Sequence, residues 1–502
     1  MRLLPLLPLL FLAVACSGNA DDKADAADTD AADADTDADT DADTDTDTDA
    51  DTDADTDADT DTDTAPTGDT GEPIPAPELS NLSAELHPEF ESLVVASWEQ
   101  DVEADVFVEY SFDVGEWHSS PVRTLDAGPH EQLLAGIPYG LDVTWRVVAT
   151  TSTDITTSAD QLITAGPVPA FVPIATVNTL DVAGVDPLSE YTLLSVPALD
   201  GGFGGAWNVM IIDRLGRPVW VRRSELERMS MHPRLSWDGT AILHDQNQFW
   251  VSFGLGDEGS VQKLRLDGTL VHEWPAPGLH HPHQELPDGS LAYGAFTYFY
   301  DESLVVTHPD DSQTTLWSCD SWAAGIGAST FCASNTLNYD EATDTFLFSF
   351  WTLETVVQID STGQALRWFG HAPGSYAFDP VESTFWFQHG AHFTDAGTLL
   401  ISTHQEENDR QLVAREYTLD ENTETLTEIW NAGVDAGVVG NQMGDAYRTP
   451  SGHTLQSYGT QSRVREYAPD GTVVWDVAWP QASHIGRVTA LPDIYALVPE
   501  QP

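Results

Sequence analysis

Two histidines stand at matching places in two similar stretches of this chain. HHPHQELPDGSLAY runs from His280 to Tyr293 and QHGAHFTDAGTLLI from Gln388 to Ile401. In each, a His lies eight residues before a turn glycine, His281 before Gly289 and His389 before Gly397. An imidazole ligates a metal, carries a proton or attacks an electrophile according to what surrounds it. A metal would need more ligands in fixed geometry. His280, His283, His392 and His404 are near, but neighbours on a strand alternate faces, so His281 and His283 can share a face and His389 and His392 cannot. No metal is therefore expected. A pair repeated in register points to a shared pocket.

Matched histidines at a distance require a repeated element to carry them. Six times a strand runs into a tight turn and a second strand that ends in Trp, as in IIDRLGRPVW, KLRLDGTLVHEW, VVTHPDDSQTTLW, VVQIDSTGQALRW, EYTLDENTETLTEIW and EYAPDGTVVW. The terminal residues Trp220, Trp274, Trp317, Trp368, Trp430 and Trp475 have a mean spacing of 51 residues, in the range of four-stranded propeller blades. A second hairpin lies between the copies: LSWDGTAIL, LPDGSLAYG, YDEATDTFLF, FTDAGTLLI and TPSGHTLQS. Two hairpins per period predict a six-bladed β-propeller over residues 168–502, with the tail LPDIYALV returning to complete the first blade. The tryptophans read as wedges between blades. First strands of blades line a central channel, so His281 in the third blade and His389 in the fifth should face each other across one axial pocket.

Residues 77–167 alternate in short runs such as LVVASW, DVFVEYSF and DVTWRVVAT. This predicts a small β-sandwich whose end, LLAGIPYGLDVTWRVVAT, resembles the closing hairpin of fibronectin type III-like modules. The predicted fold class is all-β throughout. Residues 1–16, MRLLPLLPLLFLAVAC, read as a secretory signal. Small residues before Cys16 resemble a bacterial lipobox with Cys16 lipidated, although Ala13 stands where Leu is preferred. Residues 17–76 form an acidic linker. Between Asp21 and Thr64, 21 Asp and one Lys supply −20 of the formal −63, leaving −43 elsewhere. Alternating Asp with Thr or Ala has no apolar face and repels itself, so this stretch is expected to be a disordered tether. The acidic body argues against nucleic acid as a partner. The expected location is therefore the cell envelope, exported and held on the outer membrane by the N-terminal lipid alone. In an exported chain, Cys319 and Cys332 suggest a disulfide.

These pieces resemble the bacterial arylsulfate sulfotransferases, exported six-bladed propellers with a small N-terminal β-domain. The resemblance covers about Leu180 to Tyr495. YTLLSVP with MIIDRLGRPVW is similar to that family's first blade, and HHPHQELPDG to its His-His-Asp segment before a turn. QHGAHFTDAG with LVAREYTLD is similar to its Gln-His-Asp segment and Arg-x-Glu-Tyr strand. GDAYRTPSGHTLQSYG, VREYAPDGTVVW and GRVTALPDIY are similar to its last blade. The resemblance implies sulfuryl transfer from a phenolic sulfate donor to a phenolic acceptor through a histidine intermediate, without a cofactor. By motif position His389 is the nucleophile and His281, helped by His280, contacts the sulfuryl or phenolic oxygens. Asn335 matches a family residue of the fourth blade. Ala333 and Trp351 fall where the family has His and Arg, and Pro282 and Gly390 where it has Asp. Arg415, Arg448, Arg487 or His484 would then have to supply the missing cation, with Arg487 taken as substrate-binding. The competing expectation is a catalytically inactive propeller that binds a ligand or a protein. A quinone-dependent dehydrogenase is disfavoured by the blade number and the lack of a calcium or quinone motif.

Overall fold

The computed structural model describes residues 76–201, 205–247, 258–298 and 301–499. The signal, Cys16 and the Asp/Thr tract lie outside the described residues. The architecture is all-β, and among the described residues one α-helix occurs, Cys319–Ile326.

Residues 79–164 form two antiparallel sheets. Leu79–Leu86, Val94–Gln100 and Gly128–Leu134 make the first, and Ala104–Ser111 and Asp142–Thr150 anchor a six-stranded second. Burial alternates strictly along Ala104–Ser111, as a strand with one face in a core requires. Trp98, Val106, Val108, Trp145 and Val147 fill the space between the sheets. The pair is fastened to the larger C-terminal region. Phe90 and Leu93 join one cluster with Leu193, Ile211 and Trp220, Phe90 stacks on Trp220 at 5.3 Å, and Arg217 forks onto Asp113 at 3.0 and 2.8 Å.

Six further sheets succeed one another among the described residues, each built on four antiparallel strands; the fifth and sixth carry a further outer strand, which in the fifth is Ala377–Asp379, paired in parallel with Thr425–Ala432. The second is Arg234–Leu235, Ile242–Gln246, Ser260–Leu264 and Leu270–Pro275. The third is Leu279–Glu285, Leu291–Tyr298, Asp301–Thr307 and Gln313–Ser318. The fourth is Ser334–Asp340, Thr345–Phe350, Thr355–Asp360 and Ala365–Gly370. The fifth starts at Trp386–Phe393 and continues through Leu399–Glu406, Asp409–Asp420 and Thr425–Ala432, and the sixth runs from Asp445–Arg448 to Val473–Ala478. The first sheet is composite. Tyr191–Pro197, Trp207–Asp213 and Pro218–Arg223 come from its own stretch, and Val488–Leu491 from the chain's end pairs with Tyr191–Pro197 on the inner edge. Thr176–Leu180 in turn adds to the outer edge of the sixth sheet. The returning strand is thus VTAL, not the expected LPDIYALV. Ile494–Leu497 is a short 3-10 turn, and its Tyr495 hydroxyl meets Tyr110 at 3.1 Å beneath the small β-sheets.

The repeat tryptophans tie neighbouring sheets together by donating their indole N–H to backbone. Trp220 donates to Leu266 O, Trp274 to Gly289 O, Trp430 to Pro469 O and Trp475, in the sixth sheet, to Arg214 O in the first. The exceptions are informative. Trp368 donates locally to Pro373 O, and it and Trp430 are only half-buried, so the wedge role is not uniform.

Candidate active site

The inner strands of the third to sixth sheets, and Val488–Leu491 of the first, touch one another in succession. At their N-terminal ends lies a cavity of about 600 Å³. Each of the six sheets contributes a residue within or just before its inner strand, namely Arg487, His232, His281, Asn335, His389 and Gly444. The wall above them is aromatic, with Trp351, Trp386 and Phe387. His281, His389, Asn335 and Arg487 are therefore brought together. His280 is not among the lining residues. It is turned behind His281, with ring centroids 4.1 Å apart, and packs against Phe296. Its Nδ1 is 3.8 Å from the buried carboxylate of Glu302, which accepts from Ser334 N and Oγ at 2.5 Å each. Alternation along the strand explains this: of two adjacent imidazoles only one can face the cavity.

His389 sits in an irregular strand. The pairing register shifts on both sides of it, and Phe387 and Gly390 have φ of 48° and 65°. These bulges re-aim the side chains; His389 lines the cavity and His392 does not. His392 lies near Arg487 and Arg234, whose charges add to burial in pushing it down to about 4. Local bonds hold the His389 segment: Gly390 N donates to Thr336 Oγ1 at 2.8 Å, and Asn335 Nδ2 donates to Gln388 O at 2.5 Å. His389 Nδ1 is 3.3 Å from Phe387 O. A carbonyl only accepts, so Nδ1 carries the hydrogen and Nε2 keeps the lone pair. Burial, aided by the charges of His281 and His404, pushes His389 down to about 3, and burial pushes His281 down to about 4. Both are neutral at neutral pH.

The cations divide clearly. Arg415 pairs with Glu428 and Arg448 with Glu416, away from the cavity, and His484 sits on Ser483 Oγ at 2.9 Å outside it. Arg487 does line it. Its backbone N–H donates to Met231 O at 2.9 Å, its Nε is 3.6 Å from Asp445 Oδ2, and its side chain is 8% exposed. Among the described residues, its Nε and Nη1 have no hydrogen-bond partner. A buried guanidinium in that state can bind an anion. Trp351, at the position of the family's Arg, lies in the aromatic wall 5.4 Å from Phe387, while Ala333 is buried and does not line the cavity.

His232 and Arg410 are among the lining residues that escaped the sequence reading. His232 meets His281 edge-on at 4.7 Å. Its signal was the repeated His-Pro dipeptide, His232-Pro233 against His281-Pro282, with turn glycine Gly239 one residue nearer. Arg410, exposed at the rim, donates to Asn441 Oδ1 at 2.9 Å, and no local motif marks it. Among the described residues no group of three His, Cys, Asp or Glu side chains is placed to hold a metal ion. A disulfide joins Cys319 to Cys332, three residues before Asn335.

Residues 331–479 match the family model for arylsulfotransferase (ASST). This segment carries Asn335, Trp351, His389 and Arg410, and over it the chain is similar to the arylsulfotransferase family. No curated protein matches the chain. Similar solved structures include a protein of unknown function from Bacteroides caccae, at 15% identity and TM-score 0.40 over 59% of this chain and 98% of that one. The periplasmic gluconolactonase of Pseudomonas aeruginosa matches at 15% identity and TM-score 0.36 over 78% and 100%. The virginiamycin B lyase of Staphylococcus aureus matches at 10% and 0.34 over 63% and 98%.

Proposed function

We propose that this chain transfers a sulfuryl group between phenolic compounds, with His389 as the covalent carrier. The observation that carries the reading is His389 itself, a neutral imidazole whose Nδ1 is held by Phe387 O in the cavity that Arg487 also lines. His389 Nε2 attacks sulfur, the bond from sulfur to the aryl oxygen breaks, and the phenolate leaves to take a proton from solvent. The acceptor's phenolic oxygen then attacks the same sulfur, the N–S bond breaks and the imidazole is restored as the acceptor loses its proton. Donor sulfate and acceptor phenol thus become donor phenol and acceptor sulfate. Arg487 and His281 bind the sulfuryl oxygens, with Asn335 beside them, and this offsets charge that grows on the way to the transition state. His280 supports His281 from behind and does not touch substrate. No cofactor is required.

The same reading takes the six sheets as blades of a closed propeller, supported by Val488–Leu491 in the first sheet, Thr176–Leu180 in the sixth and the bond from Trp475 to Arg214 O. It takes the leader and Cys16 as an export signal and lipid anchor to the cell envelope. The alternative, a propeller that binds without reacting, draws on Trp351 standing where the family has Arg. Intact-mass measurement after brief exposure to para-nitrophenyl sulfate separates the two. The expected result is an added mass of about 80 Da on the wild-type chain, as a covalent intermediate requires, which is absent from His389→Asn. Neither adduct nor nitrophenolate release from the wild type would overturn the proposal.

A further inference from the structure

We infer that Glu302, which does not touch substrate, is a positioning residue for sulfuryl transfer, acting on His281 through His280 and on Asn335 through Ser334. The inference rests on the transfer reading above and extends it to a residue on the third strand of the third sheet, outside every motif that marked the site. The Glu302 carboxyl group is fully buried. Its Oε2 accepts from Ser334 N and its Oε1 from Ser334 Oγ, at 2.5 Å each. Ser334 opens the inner strand of the fourth sheet and precedes Asn335, whose Nδ2 in turn donates to Gln388 O beside His389. Oε1 also lies 3.8 Å from His280 Nδ1, and the His280 ring is 4.1 Å from that of His281. One carboxyl group thus braces the neighbours of two cavity residues on two different sheets.

The strand beside it is shaped to admit it. A methyl group added to Gly294 would lie 2.3 Å from Glu302 Oε1 and 2.8 Å from Pro282 Cγ, so the carboxyl group fills the place of the side chain that Gly294 lacks. A buried carboxylate is costly unless a cation pairs with it. The titratable groups around Glu302 are Asp301 beside it and His280 and His281 on the inner strand. Gly294 and Phe296 on the second strand, and Ser334 and Phe348 in the fourth sheet, bring no charge. Burial pushes Glu302 up to about 8, with the Asp301 charge adding to it and the two Ser334 bonds offsetting it only in part. Burial drives His280 and His281 the other way, His281 to about 4. Glu302 is therefore the member of this group that titrates just above neutral pH. While it keeps its proton, the ground behind His281 and Asn335 is neutral. Once ionised, it sets a buried negative charge behind the groups that hold the sulfuryl oxygens, and like charges there weaken donor binding.

The test is the pH profile of single-turnover sulfation of the full chain by para-nitrophenyl sulfate, a donor with no group that titrates near pH 8. At low donor concentration the wild-type rate should fall about tenfold from pH 7 to pH 9, as for one required proton held at about 8. Glu302→Gln should bring the ratio of the two rates close to one, because its amide can accept from Ser334 N and donate to Ser334 Oγ but cannot ionise. Glu302→Asp, one methylene shorter, withdraws from both Ser334 and His280 and should slow sulfation by about 10–10² even at pH 7, the usual loss for a small misplacement of reacting groups. A merely structural acid would lower the rate in the variants without changing the slope with pH. Nitrogen NMR of histidine-labelled protein, with His281→Asn used to assign the signal, reads the same coupling without turnover. The His281 ring signals should move between pH 7 and 9 in the wild type and stay still in Glu302→Gln. A wild-type rate that is flat to pH 9, an alkaline fall that persists in Glu302→Gln, or unmoved His281 signals would overturn the inference. Ring signals that move in a chain that forms no sulfated enzyme would remove the transfer reading and leave the link from Glu302 to His281 standing.

Discussion

Gly390→Ala should injure both stability and transfer, for a reason that can be worked from the backbone. Gly390 is the residue after His389 and has φ of +65°. A methyl group built there lies 2.2 Å from Asp445 Oδ1, 2.9 Å from its Cα and 3.0 Å from Ala446 N. Ordinary contact begins near 3.4 Å, so the two inner strands would have to part by about an ångström. Two costs then add. The left-handed conformation costs an L-residue about 1–2 kcal/mol, and forcing a methyl group into a packed interior costs about 1–3 kcal/mol. Gly397, in the same sheet, separates them. It has φ of +74° with nothing within 4 Å of the added methyl, so Gly397→Ala should cost only the conformational part. Urea unfolding of both variants should place Gly390→Ala lower by about 1–3 kcal/mol. The same displacement moves His389 and the Asp445 carboxylate that flanks Arg487, so formation of the sulfated enzyme should fall in Gly390→Ala and hold in Gly397→Ala. Adding Asp445→Ala to Gly390→Ala should remove the 2.2 Å side-chain contact while the two backbone contacts stay, and show as a partial coupling in the double-mutant cycle. If the two alanine variants unfold together and react alike, the Asp445 contact is not what requires glycine at this position, and the reasoning fails.

Arg487→Ala should slow formation of the sulfated enzyme by about 10²–10³, the usual loss of one preorganised oxyanion donor, while Arg487→Lys recovers part of the rate in the same rapid-quench assay. Stability should decline as pH falls below about 6.5, the ordinary histidine value. His389, His281, His283 and His244 are buried neutral with values of about 3 to 4, so between those values and 6.5 the unfolded chain takes up protons that the native one does not. Each such histidine steepens the slope by up to about 1.4 kcal/mol per pH unit, and His389→Asn should remove one share in melts between pH 5 and 7. Glu302 acts in the opposite sense. Burial raises it to about 8, so its stabilising protonated form is lost as pH rises from 4.5 toward that value, and Glu302→Gln should flatten stability there. Removing the Cys319–Cys332 disulfide by paired Ser substitution should cost about 3 kcal/mol by the loop-closure estimate, measured as a lower urea midpoint against the wild type under oxidising conditions.

Much of this site was visible in the amino-acid order. Strand pairs joined by Asp-Gly turns, a tryptophan closing each period and a histidine eight residues before a turn glycine are local patterns, and local patterns set pairing and facing. That is why His281 and His389 could be placed on inner strands and brought to one pocket from the amino-acid order alone. The sixth sheet keeps the same offset, Gly444 to Gly452, with glycine in the histidine's place. Other features depended on contacts between residues far apart in the chain. Arg487 reaches the cavity because Val488–Leu491 crosses from the chain's end to pair with Tyr191–Pro197, a return the sequence led us to expect a few residues further on. Which of His280 and His281 faces inward is set by strand register, and His389 is aimed by bulges whose Gly390 N–H and Gln388 carbonyl bond to Thr336 and Asn335 on the adjoining inner strand. The lack of an arginine at Trp351 was plain in the sequence. That another guanidinium is buried at the same cavity was decided by the long-range pairing of Val488–Leu491, because a charge reaches its ligand through space and not along the chain.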